Sequence, residues 1–205
     1  MKYTFSDLLK DIKFHYVAYA VIILTGIIVF GGEGFSQWLR YDRQAIEHGE
    51  YWRIISAHLT HLTISHWILN ACGWLLVWFL YRAMLTPAQW IMLLLWSSMV
   101  VSLGLYVLNE EVFYYVGLSG SLHGLFIVGA MMEIHHGWRV GGGILMMAFT
   151  GKLIYEQIYG SLPGTTQMSG GWVIVDAHLY GALAGLFIGV FFWLRKPTKS
   201  ASSVS

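Results

Sequence analysis

Long apolar runs broken by short polar stretches dominate this chain, and six of them approach the roughly 20 residues that span a bilayer. They fall at 16–30, 56–81, 88–108, 116–134, 141–159 and 175–194. Residues 1–13 follow a different pattern: Phe5, Leu8, Leu9 and Ile12 recur at helical spacing with Lys and Asp between them. That spacing predicts a short interfacial amphipathic helix. No cleavable signal pattern precedes the first apolar run, which therefore reads as a retained anchor. The polar stretch 31–55 is long for a compact bundle and carries Phe35, Trp38, Leu39, Tyr41, Tyr51 and Trp52 among its charges. It is expected to lie partly in the headgroup region, with its aromatics as anchors. The stretch 160–171, with Pro163, Gly164, Thr165, Thr166, Ser169 and Gly170, reads as a mobile cap.

Composition agrees with the pattern. The chain is 57% hydrophobic and only 11% charged, with a mean hydropathy of +0.59, well outside the range of soluble globular domains. The expected fold class is an all-α polytopic membrane protein: a single six-span domain over residues 1–205, ending in a polar tail at 195–205. A formal net charge of +1 offers no basic excess for nucleic acid. Cys72 is the only cysteine, so no intramolecular disulfide can form. Lys2, Lys10, Lys13, Arg82, Arg139, Arg195, Lys196 and Lys199 fall on one side of the six-span arrangement; only Arg40, Arg43 and Arg53 fall on the other. The positive-inside rule then places both termini in the cytoplasm, and spans two, four and six all descend from the outer face.

The polar residues inside apolar runs are the candidate chemistry. GLSGSLHG, residues 117–124, sets Ser119 among glycines at the mouth of the fourth run. Such a serine is either a nucleophile, with free amides nearby for an oxyanion, or a helix-packing residue at small-xxx-small spacing. The second run holds His58, His61, His66 and Asn70. His66 and Asn70 share a helical face, whereas His61 is expected to point about 140° away from His66. A zinc site from His58, His61 and His66 lacks a carboxylate or thiolate to complete it, and a role limited to interhelical hydrogen bonds is the plainer alternative. The third run reads as lipid-facing scaffold. In the fifth, Lys152 and Glu156 form an i, i+4 pair that either satisfies itself or grips a substrate.

In the sixth run Ala177, Gly181, Gly185 and Gly189 repeat every four residues, matching Gly120 and Gly124 in the fourth. Docking these two stripes brings His178 to Ser119. Ser119, His178, His66 and Asn70 all lie in the outer halves of spans descending from one side. Together they make an acyl-transfer set of nucleophile, base and oxyanion donors. Asp176 is the one third member this reading offers. Two residues from His178, it points to another face of a continuous helix, which favours a dyad.

These residues resemble the rhomboid intramembrane serine proteases. The shared pattern is His61 and His66-x-x-x-Asn70 in the second span, Gly117-x-Ser119-Gly120 opening the fourth, and Ala177-His178-x-x-Gly181-x-x-x-Gly185 in the sixth, with Trp52-Arg53 in the long first loop. The resemblance implies a six-helix bundle with Ser119 as nucleophile and His178 as base. It implies an oxyanion hole from His66, Asn70 and the Ser119 amide, and no cofactor or metal. His123 departs from it, standing where many rhomboids have an aromatic residue packed on the base. The short chain and the string SGSLHG resemble the rhombosortase branch. This implies a bacterial cytoplasmic (inner) membrane enzyme and, as partners, exported proteins anchored by a GlyGly-CTERM tail. A catalytically inactive rhomboid-like protein that binds transmembrane clients is the alternative, and a transporter is disfavoured because no internal repeat surrounds a midplane site.

Overall fold

The computed structural model describes residues 5–194. In chain order they form α1 (Phe5–Phe30), α2 (Glu33–Leu39), β1 (Tyr41–Asp42), α3 (Arg43–Glu47), α4 (Arg53–Ser56), a 3-10 turn (Ala57–Leu59), α5 (Ile64–Tyr81), α6 (Pro87–Leu108), β2 (Tyr114–Tyr115), α7 (Ser119–His135), α8 (Arg139–Tyr159), α9 (Thr165–Ser169) and α10 (Val175–Leu194). The six long helices, α1, α5, α6, α7, α8 and α10, fall on the six apolar runs. By length and composition α5, α6 and α10 are long and apolar enough to cross a membrane, and His15–Phe30 is a shorter apolar helix. Helix α7 stops at 17 residues, and α8 carries Arg139, Lys152 and Glu156. Helix α1 continues unbroken from Phe5 through the segment expected to lie at the interface. Residues 1–4 and the tail 195–205 lie outside the described residues.

The second run is not one helix from residue 56. After the 3-10 turn the backbone is extended at Thr60 and Thr63, and α5 begins only where the Thr63 side chain accepts the His66 amide at 3.1 Å. His58 and His61 therefore precede the helix that carries His66 and Asn70. Helix α6 opens on a Thr86–Gln89 capping box with Pro87 in its first turn. It is not a lipid-facing scaffold: Trp90, Leu93, Ser97, Ser98, Val101, Ser102 and Leu105 are buried, and the helix packs against α7 and α10.

The segment 31–55 is built rather than loose. Tyr41 and Asp42 pair antiparallel with Tyr115 and Tyr114. Buried Arg43 donates to the carbonyls of Leu105, Tyr106, Asn109 and Val112 at 2.9–3.3 Å, so one guanidinium ties the last turn of α6 to the loop that follows it. Arg53 donates to the carbonyls of Gln37 and Arg40 and pairs with Glu50 at 2.6 Å.

Two kinds of packing hold the long helices. Trp74, Trp78 and Trp90 cluster in tilted and edge-to-face contacts where α1, α5, α6 and α7 meet, with Trp78 and Trp90 centroids 4.8 Å apart. The Trp74 indole donates to the Ala18 carbonyl at 3.1 Å. Between α7 and α10 there are almost no side chains. A Cβ on Gly124 would lie 2.6 Å from the Gly181 carbonyl oxygen, and one on Gly120 would lie 2.9 Å from that of Ala177. Conversely, a Cβ on Gly181 or Gly185 would collide with the carbonyl of Gly120 or Gly124. The two helices run parallel in backbone contact, as the matched stripes predict.

Candidate active site

Gly117 has φ +117°, a conformation that favours glycine, and its amide donates to the Ala57 carbonyl at 3.1 Å. The chain turns there, and Ser119 becomes the first residue of α7, so its amide has no acceptor within the helix. The backbone contact of α7 with α10 then sets Ser119 Oγ 3.0 Å from His178 Nε2. The far ring nitrogen, Nδ1, is 2.9 Å from Glu156 Oε2, and that carboxylate also binds Lys152 Nζ at 2.6 Å. Glu156 and His178 are both buried, while Ser119 is half-buried.

His66 and Asn70 reach the same place from α5. A Cβ on Gly117 would lie 2.9 Å from His66 Nε2 and 3.8 Å from Asn70 Nδ2. Position 117 thus requires glycine for space as well as for φ. The Leu62 amide points at His66 Nδ1 across 3.4 Å, which makes Nδ1 the acceptor and leaves the hydrogen on Nε2, facing Gly117. Asn70 Nδ2 spends one hydrogen on the His66 carbonyl at 3.2 Å and keeps the other. Ser119, His178, His66, Asn70, His123, Lys152 and Glu156 line one cavity of about 400 Å³. Its rim carries Trp172, 92% exposed. The stretch expected to be a mobile cap contains α9 and is tied down at its end: Ser65 Oγ donates to the Met168 carbonyl at 2.6 Å.

The expectation for His61 changes here. His61 does not face away from His66. Because it precedes α5, its ring lies edge-on to that of His66, with centroids 5.1 Å apart. His58, also part of the zinc reading, uses both ring nitrogens in hydrogen bonds to neighbouring helices, the plainer alternative. Ser102 donates to the Ile54 carbonyl, so it must accept from His58 Nε2 at 3.0 Å; His58 Nδ1 then accepts from Ser121, which accepts in turn from Ser98. That buried ladder fixes the 3-10 turn against α6 and α7. Finally, Asp176 is bonded to Asn109 at 2.7 Å, and the carboxylate beside His178 is Glu156, from a different helix.

His123 takes up the position left open by its departure from the common pattern. Its ring stacks on His178 with centroids 4.2 Å apart and planes 17° from parallel. Its Nδ1 donates to the Ser119 carbonyl at 2.7 Å, so Nε2 accepts from Lys152 at 2.9 Å. His123, Glu156 and His178 offer donor atoms within 4.8 Å of one another, a spacing suited to a metal. The Lys152 ammonium lies within 3.4 Å of all three residues and already fills the cation position.

Two comparisons bear on this site. A family model described as Rhomboid domain matches residues 48–195. The chain is also 26% identical over 151 residues to a Bacillus subtilis (strain 168) protein named "Putative rhomboid protease YdcA", an alignment covering 74% of this chain and 71% of that protein.

Proposed function

The chain belongs to the rhomboid family, and from that premise we propose that it is an intramembrane serine endopeptidase with Ser119 as nucleophile and His178 as base. The observation that carries this reading is the 3.0 Å contact of Ser119 Oγ with a ring nitrogen of His178, beside a glycine turn faced by two donors. Ser119 Oγ attacks the scissile carbonyl carbon, and its proton passes to His178 Nε2. The carbonyl electron pair becomes an oxyanion held by the Ser119 amide, His66 Nε2–H and Asn70 Nδ2–H. On collapse the carbonyl re-forms, the C–N bond breaks, and the proton on Nε2 goes to the departing amine. Water then repeats the sequence on the acyl-enzyme, with His178 taking its proton, and releases the new carboxylate. No cofactor is needed for any step.

In this reading the six long helices span a bacterial inner membrane with both termini cytoplasmic, an orientation supported by the distribution of Lys and Arg. The cavity lies at the end where α5, α7 and α10 begin, which in this orientation is the outer face. A scissile bond there must arrive as unwound backbone, because a helical carbonyl is already hydrogen-bonded and shielded. A Gly-Gly pair outside an apolar helix meets that need: each glycine weakens the helix by roughly 1 kcal/mol relative to alanine and leaves the backbone bare. Together with SGSLHG, this supports a rhombosortase that cuts C-terminally anchored exported proteins at a GlyGly-CTERM tail.

The test is co-expression with such a client. Ser119→Ala and His178→Ala should each abolish processing in a fully inserted protein, and a fluorophosphonate should label wild type at Ser119 only. Mass spectrometry of the mature client should find its C-terminus at or beside the Gly-Gly pair. Processing by Ser119→Ala would end the protease reading. Equal processing after both client glycines become leucine would end the rhombosortase assignment while leaving a rhomboid protease.

A further inference from the structure

Two groups from α8 contend for the outer nitrogen of the base. Glu156 Oε2 stands 2.9 Å from His178 Nδ1, and Lys152 Nζ stands 3.4 Å from the same atom. They ask for opposite tautomers. A carboxylate accepts, so it holds a hydrogen on Nδ1 and leaves Nε2 bare to receive the serine proton. An ammonium only donates, so it would call for the lone pair on Nδ1 and put the hydrogen on Nε2, where the ring could not act as base. The shorter contact belongs to the carboxylate, and the ammonium is itself engaged by Glu156 at 2.6 Å and His123 Nε2 at 2.9 Å.

From this arrangement we propose that Glu156 is a positioning residue that holds His178 as its Nδ1–H tautomer and balances the imidazolium formed during acyl transfer, so that the site works as a serine–histidine–glutamate triad braced by Lys152. The proposal rests on the assignment of Ser119 and His178 as nucleophile and base. Lys152 has two tasks in it. It keeps the buried carboxylate paired in the resting state, and through His123 it links that carboxylate to the Ser119 carbonyl at 2.7 Å. The brace thereby closes a ring of contacts from base to nucleophile: His178, Glu156, Lys152, His123, Ser119. Its members come from α7, α8 and α10. The proton itself moves only between Ser119 Oγ, His178 Nε2, the leaving amine and the incoming water, and Glu156 stays ionised throughout.

The groups facing His178 are His66 from α5, Ser119 and His123 from α7, and Lys152 and Glu156 from α8. The experiment uses the full chain in liposomes with a Gly-Gly-tailed client and varies the α8 pair. Glu156→Gln keeps the shape but removes the charge. It should lower kcat by about 10⁴ with KM little changed, the loss seen when a triad carboxylate is neutralised or removed. Glu156→Asp should recover part of that loss.

The pH–rate profile separates positioning from mere structure. With the anion gone and the Lys152 cation uncompensated, protonated His178 is disfavoured, so the acid limb of kcat for Glu156→Gln should move to lower pH. Lys152→Met leaves the anion alone and should move the limb to higher pH. If Glu156→Gln fails to fold because Lys152 is left unpaired, the neutral double variant Lys152→Met/Glu156→Gln replaces it and should fold yet stay slow. Either glutamine variant, folded and within about threefold of wild-type kcat with an unmoved acid limb, would overturn the triad. That result would leave the nucleophile assignment intact, because Ser119→Ala in the same liposomes reports on it separately.

Discussion

Against α10, helix α7 presents glycines; against the start of α5, its first turns present the wall of a cavity. On the first side the contact is carbonyl against Cα, with Gly120, Gly124, Gly181 and Gly185 leaving no room for a Cβ. On the second, the donors of His66 and Asn70 come no closer than the neighbourhood of Gly117, and the space between lines the cavity. The difference follows from what each pair of helices must hold still. Under the proposed mechanism Ser119 and His178 need one fixed separation, and backbone packed on backbone has no rotamers to vary. The proposed oxyanion hole would have to admit a substrate, and its donors extend from side chains across an opening.

The comparison is broken most severely by restoring side chains to the bare face. Gly181→Val or Gly185→Val should force α7 and α10 apart, with a loss beyond about 3 kcal/mol and no fluorophosphonate labelling. A valine variant with wild-type melting and labelling would deny the backbone contact. On the open face the fold should survive and the chemistry should not: His66→Ala and Asn70→Ala should each lower kcat by roughly 10²–10³, with melting close to wild type. His61→Ala is the sharper test. Its ring touches His66, so activity should fall along with stability, by less than for either donor.

Away from both faces, Trp74→Phe removes the indole bond to Ala18 and should lower stability by about 1–2 kcal/mol while leaving kcat within twofold. The smallest change expected is Gly143→Ala on α8, where a Cβ meets open space and should stabilise the helix by about 0.5–1 kcal/mol. Thermal unfolding in one detergent would rank all of these variants.

How far the sequence leads depends on whether a residue's partner shares its helix or its motif. Ser119, His178 and the glycine stripes are legible because a four-residue repeat of small side chains marks one helix face as the side that packs. Helical periodicity misplaces His61 because the apolar run conceals a break: the only local sign that α5 starts at Ile64 is the Thr63 hydroxyl, and Thr60 offers the same chemistry three residues earlier. Ser98 and Ser102 look incidental in an apolar span, since their partners Ser121 and His58 are 23 and 44 residues distant. Glu156 is hidden by a sufficient local explanation. A lysine four residues before it satisfies a carboxylate on paper, and nothing in the spacing reveals that a histidine 22 residues later shares the same oxygen.

Arg43 also sets an order of events. Its four acceptors lie 62–69 residues further along the chain. At a synthesis rate of about 5–20 residues per second, they emerge roughly 3–14 s after the arginine itself. Through that interval the guanidinium has none of its final partners, and β1 lacks the strand it will pair with. The segment between α1 and α5 therefore cannot lock until α6 has been made and inserted. A chain stalled in α6 would carry an unlatched Arg43 and an unpaired β1.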